Sequence, residues 1–302
     1  MPNALAHMGV GRITGRALFQ DADDKWLYFG CILPDMPWIL QRVVTGLRLG
    51  VDALDLRLYV IVQASFFFCL ILSLSLALLS QRSLRIFLLL AVSSLGHLLL
   101  DATQLKWANG VQLWAPFSWR LVHFGFYWPE SMVTYLLSAF GLIVVVMNWT
   151  AGWQKPVFVP WPPVRWRWLA SAGLLGVYLV LPLLLMTGPE AADNHYVATL
   201  RHRDARPGRP IAFDRCQYDA ATGTIHIFTG ETLHVTGFKW PAATRVSIRG
   251  RFVTPDRVAV RTFHVHSPFR DLASFLGLAL IGILWFAAVS NKRIILIRVK
   301  VD

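Results

Sequence analysis

The chain has 302 residues, 55% of them hydrophobic and only 15% charged, with a net charge of +12. Its mean hydropathy is +0.50, which excludes an ordinary soluble domain and points to a bilayer as solvent. Cys31, Cys69 and Cys216 are scattered without a CxxC pair, so neither a disulfide framework nor a thiolate metal site is expected.

The N-terminus has its first basic residue at Arg12, with no continuous apolar run or small-residue cleavage site after it. A cleavable signal peptide is therefore not expected. The opening stretch MPNALAHMGVGRITG reads as a helix carrying His7. Residues 26–44 are apolar enough to enter a membrane, yet Pro34, Asp35 and Pro37 interrupt them. They read as a re-entrant hairpin rather than a further span, with Asp35 in the Pro-locked turn of GCILPDMPWIL.

Five later segments meet the requirement of about 20 apolar residues for a transmembrane helix: 59–79, 86–100, 131–149, 168–187 and 272–290. Pro182 lies inside the fourth and is tolerated in a membrane helix. Basic residues gather at Arg82 and Arg85, at Lys155, Arg165 and Arg167, and in the tail at Lys292, Arg293, Arg298 and Lys300. By the positive-inside rule these segments face the cytoplasm. The loop 101–130 and the long segment 190–270 then lie outside.

The second apolar segment ends in GHLLLD, which places His97 and Asp101 four residues apart on one helix face. Two ionisable groups at the edge of a span are costly unless paired or used. They could hydrogen-bond each other and cap the helix, or they could ligate a metal. Likewise His7 could be an ordinary interfacial histidine and Asp35 a turn cap. In the following loop Trp107, Trp114, Trp119 and Trp128 read as an interfacial belt or amphipathic lid rather than as substrate platforms.

Residues 190–270 change in character. β-type alternation appears at 224–228, 232–236, 245–252 and 258–266, punctuated by Gly223, Gly230, Gly237, Gly250 and Pro255. This pattern suits a compact OB-like barrel. The segment from His195 to Arg270 carries twelve Lys and Arg against five Asp and Glu. A basic barrel with Phe213, Tyr218, Phe228, Phe238 and Trp240 admits nucleic-acid stacking. The plainer reading puts these aromatics in a small core and the arginines on a solvated or lipid-facing surface, and the outside location disfavours nucleic acid. His264 and His266 flank Val265, so both face one way. They read as a surface pair or, failing that, a second metal or haem-type site.

The expected fold is therefore an α-helical polytopic membrane protein of about five transmembrane helices plus a re-entrant segment, with a small all-β, OB-like extramembrane domain. Its parts are a helical core at 1–150, a linker and fourth span at 151–189, the β domain at 190–270, and a last span with a basic tail at 271–302.

The order of a histidine near the start, a hydrophobic Pro-Asp, an H-x-x-x-D pair and then WAPFSW resembles the YdjM-type bacterial inner-membrane proteins. These are classed as membrane-bound metal-dependent hydrolases with a core distantly similar to zinc-dependent phospholipase C. The resemblance covers roughly residues 1–150 and leaves out the β module. It implies His7, Asp35, His97 and Asp101 as metal-site residues, with Asp35 or Asp101 as proton acceptor. The ion it implies is divalent, zinc first and manganese or magnesium as alternatives. The expected partners are the lipid bilayer and a lipid or lipid-linked substrate carrying an ester or phosphoester. The family's H-R-G-x-T-H-S stretch is absent: Gln63, Ala64 and Ser65 stand where Thr, His and Ser would. His123 or Glu130 could replace the lost ligand. Otherwise the core is a degenerate hydrolase and the β domain a ligand- or partner-binding module.

Overall fold

A computed structural model describes residues 3–149 and 164–290. Lys155 and the basic tail beyond 290 lie outside the described residues. The N-terminal helix α1 (Ala4–Leu18) is capped by Asn3, whose side chain accepts from the Ala6 amide. It is followed by α2 (Asp24–Gly30), a 3-10 turn (Leu33–Asp35) and α3 (Met36–Gly46). The Pro34 and Pro37 positions thus form a tight helical turn, and each proline sits in a first turn where its missing N–H costs nothing.

Next come α4 (Ala53–Gln63), α5 (Phe66–Leu78), α6 (Ser83–Thr103) and α7 (Met132–Met147). After the undescribed stretch, α8 (Arg165–Leu185) runs on into the short α9 (Thr187–Ala191). Small residues set the closest crossing. A methyl group on Gly141 of α7 would stand 1.9 Å from the Leu5 carbonyl oxygen of α1. Leu5 and Met8 of α1 form a core with Tyr28, Val145, Ile281 and Leu284. The last two belong to α11 (Leu272–Ser290).

The expectation of five transmembrane helices is overturned. Two helical segments, Ser83–Thr103 and Arg165–Ala191, are long and apolar enough to cross a membrane, with a third if α4 and α5 count as one span. The segment 59–79 is not one helix, because the chain bends by 67° between α4 and α5. Gln63 turns sideways there to donate to the Tyr59 hydroxyl and the Tyr178 carbonyl. The freed Phe66 amide is taken up by the Gln112 carbonyl at 3.1 Å. The apolar parts of α7 and α11 are shorter helices, Met132–Met147 and Leu272–Ala288. Hydropathy counts apolar residues, and it does not report where a helix stops.

A short left-handed turn with positive φ at Asp193, His195 and Tyr196, then α10 (Val197–Arg201), leads into five strands. They are β1 (Pro210–Asp219), β2 (Thr224–His226), β3 (Thr232–Thr236), β4 (Thr244–Thr254) and β5 (Arg257–Val265). They close a barrel in the order β1-β2-β3-β5-β4, with β3 and β5 parallel and β4 returning to β1. An OB-like domain fits this topology. Ile211, Phe213, Tyr218, Leu233, Val246, Ile248 and Phe252 fill its interior, so Phe213 and Tyr218 are core residues. A fully enclosed Arg206 ties the barrel's base, pairing with Glu231 at 2.6 and 2.9 Å and donating to the Leu200 carbonyl.

The barrel sits on the helices. Arg57 of α4 stacks over Phe228 at 4.1 Å, and Arg249 of β4 covers Trp107 at 4.9 Å. Trp128 lies flat on His264 with ring centroids 3.7 Å apart. Trp107 and Trp128 therefore serve the helix–barrel contact, whereas Trp114 is well exposed.

Candidate metal centre

His7 comes from the first turn of α1, and the glycine-lined crossing with α7 holds that helix close to its neighbours. His97 and Asp101 come from the last turns of α6, one above the other as their spacing predicts. The two imidazoles stack with centroids 3.9 Å apart and planes 15° from parallel. His7 Nε2 stands 3.2 Å from Asp101 Oδ1, and His97 Nε2 stands 3.8 Å from Asp101 Oδ2. Ligand atoms of His7, His97 and Asp101 all lie within 4.8 Å of one another. Asp35, at the end of the 3-10 turn, reaches His97 Nε2 at 3.8 Å but stands at the margin of the trio.

The residues present fit a metal ion. Both nitrogens of His7, Nδ1 of His97 and Oδ1 of Asp101 are enclosed and have no hydrogen-bond partner. His7 Nε2 and Asp101 Oδ1 still face each other at 3.2 Å, but enclosed polar atoms this poorly satisfied are expensive in an ordinary core. An ion that accepts imidazole and carboxylate ligands would satisfy the ones facing it.

Two further groups shape the site, and sequence reasoning passed over both. Lys106 Nζ lies 2.9 Å from Asp101 Oδ2, reached by the chain folding back just after α6. Arg57, in LDLRLYVIVQ where Asp55 is taken by Arg201, is held between Phe228 at 4.1 Å and Trp38 at 5.3 Å, with its Nε enclosed and unpartnered. An arginine leading into the apolar run LYVIV was the available signal for it.

Asp35, His97, Asp101, Lys106 and Arg57 line a cavity of about 890 Å³ between the helices and the barrel. Ala64 also lines it, so the position where the resemblance calls for histidine faces the cavity with only a methyl group. Neither proposed substitute fills the gap. Glu130 is engaged by His266 and His264 of the barrel, and His123 lies on a separate cavity beside Arg249. The centre among the described residues is thus two histidines and a carboxylate, not a three-histidine set.

His195 lines both cavities and tilts against Trp38 at 5.5 Å. Burial first, and the Arg57 guanidinium second, push its pKa down to about 3, so it stays a neutral imidazole at physiological pH. The exposed His123 is also lowered, by partial burial and then by Arg249. Set against family models, curated proteins and solved structures, the chain matches none.

Proposed function

We propose that the protein is a membrane-bound metal-dependent hydrolase acting on a membrane-associated phosphoester. One observation carries the reading: His7 and the pair His97 and Asp101, 90 residues apart in sequence, converge within ligand distance, and His97 and Asp101 open onto a large cavity. The basic short loops support a bacterial inner-membrane location with the barrel outside.

His7, His97 and Asp101 would hold the ion, and zinc suits that donor set best, ahead of manganese or magnesium. A bound divalent ion supplies charge that polarises a phosphoryl oxygen and acidifies water. The chain's own groups do the rest. Asp35, a buried carboxylate beside His97, would accept the proton that water gives up as it adds to phosphorus and return it to the alcohol oxygen as the ester P–O bond breaks. Lys106 fixes the Asp101 rotamer through Oδ2 and leaves Oδ1 turned to His7. Arg57, stacked by Phe228 and Trp38, offers a guanidinium that suits phosphate geometry, and this favours a phosphoester over a neutral ester. Apolar side chains exposed on α7 and α8 would keep a lipid substrate's tail within reach.

The test compares metal content in purified, detergent-solubilised protein and in a His97→Ala/Asp101→Ala double variant. About one equivalent lost in the variant, with cleavage of a lipid phosphoester lost alongside it, is the expected result. A second reading, a non-catalytic core carrying the barrel as a binding module, is favoured by Ala64 at the cavity wall and by the Lys106 cation on Asp101. Equal metal content in both forms, with no cleavage by either, decides for it.

A further inference from the structure

The end of β5 carries a second convergence, far from the first in sequence. Strand alternation brings His264 and His266 out on one side, and both meet Glu130 from the loop that precedes α7. Glu130 Oε1 lies 2.6 Å from His266 Nδ1, and Oε2 lies 3.4 Å from His264 Nε2. Ligand atoms of the three residues fall within 4.8 Å of one another.

The surroundings of each ring are those of a ligand. His266 Nε2 is 2.7 Å from the Ser247 hydroxyl. That hydroxyl gives its proton to Asp214 Oδ1 at 2.8 Å and accepts the Arg215 amide at 3.1 Å. Ser247 can therefore only accept from His266, which puts a ring proton on Nε2 and leaves Nδ1 to face Glu130, where an N–H donates to Oε1 at 2.6 Å and an ion would take that proton's place. A histidine whose far N–H is fixed through a hydroxyl to a carboxylate is the usual outer arrangement of a metal-bound imidazole. His264 is held by the flat stack with Trp128, and its Nε2 is enclosed without a hydrogen-bond partner.

We propose that Glu130, His264 and His266 bind a divalent transition-metal ion of the zinc type, clamping the 104–131 loop to the barrel. Two imidazoles and a carboxylate suit a borderline ion, with one position left for water. Calcium and magnesium prefer oxygen-only sets, and Cu(I) prefers sulfur. The clamp borders the cavity, because Asp214 of the relay and Lys106 of the loop both line it. It does not depend on the function proposed for the His7 centre.

The test is Co²⁺ titration of the full chain in the His97→Ala/Asp101→Ala background, followed by visible absorption and checked by circular dichroism for an intact fold. One equivalent with a low-symmetry Co²⁺ spectrum is expected. It should be lost in His264→Gln and in Glu130→Gln, and weakened about tenfold in Ser247→Ala. Should the background variant fail to fold, the same substitutions are made in the otherwise native chain, where each should remove one equivalent whatever the His7 centre binds. No bound Co²⁺ in the folded background variant, or binding untouched by His264→Gln and Glu130→Gln in either chain, overturns the proposal and leaves a Glu130–His266 ion pair.

Discussion

Asp101 divides its two oxygens between His7 and Lys106. The ammonium neutralises the carboxylate when no ion is bound, and it repels a divalent ion when one arrives. Replacing it by an apolar group, Lys106→Met, should tighten divalent-ion binding roughly tenfold, or about 1.4 kcal/mol. Competition against a chromophoric chelator measures this. Weaker binding in the variant would mean that orientation of Asp101 outweighs charge. His195 gives a second prediction at this scale. Its folded pKa of about 3 lies below that of the unfolded chain, so the unfolded state binds more protons between those values. Stability should then fall as pH drops through 6.5, by about 2 kcal/mol at pH 5 for this one group. His195→Asn, which tolerates the positive φ there, should flatten that slope in melting curves taken from pH 7 to 5. An unchanged slope would show that His195 is protonated in the fold.

Helices place these groups only because α1 can lie close to α7. Any side chain at Gly141 meets the Leu5 carbonyl, two residues before His7. Gly141→Leu is expected to lower Tm by more than about 5 °C and to weaken metal binding by displacing α1. Gly173→Ala on α8, where an added methyl meets nothing within 4 Å, should change neither. Much of this element-level picture was legible in the sequence. Strand alternation located β2 to β5 to within two residues, and the four-residue spacing of His97 and Asp101 set their shared face. The first strand was missed because a bulge between Phe213 and Cys216, with Arg215 at positive φ, breaks the alternation in IAFDRCQYD. The bend at Gln63–Ser65 and the Glu130–His266 contact, 136 residues apart, are tertiary outcomes that no local period encodes.

Over the whole molecule, the contact of Glu130 with β5 places the 104–131 loop and the barrel at the same end of α6. The turn containing Arg82 lies at the other end. With the three native cysteines buried, single cysteines at exposed positions can report sidedness. Trp114→Cys and Thr222→Cys should react with an impermeant maleimide from one side of a sealed vesicle, and Arg82→Cys from the other. Labelling of all three from one side would mean that α6 does not cross.

The unequal helix lengths carry a last consequence. At 16 residues α7 is about 24 Å long, whereas the 21 residues of α6 span about 31 Å. Only the longer one matches a hydrocarbon slab of about 30 Å. Seated beside a spanning α6, the shorter helix would leave polar groups at its end facing lipid unless protein covers them.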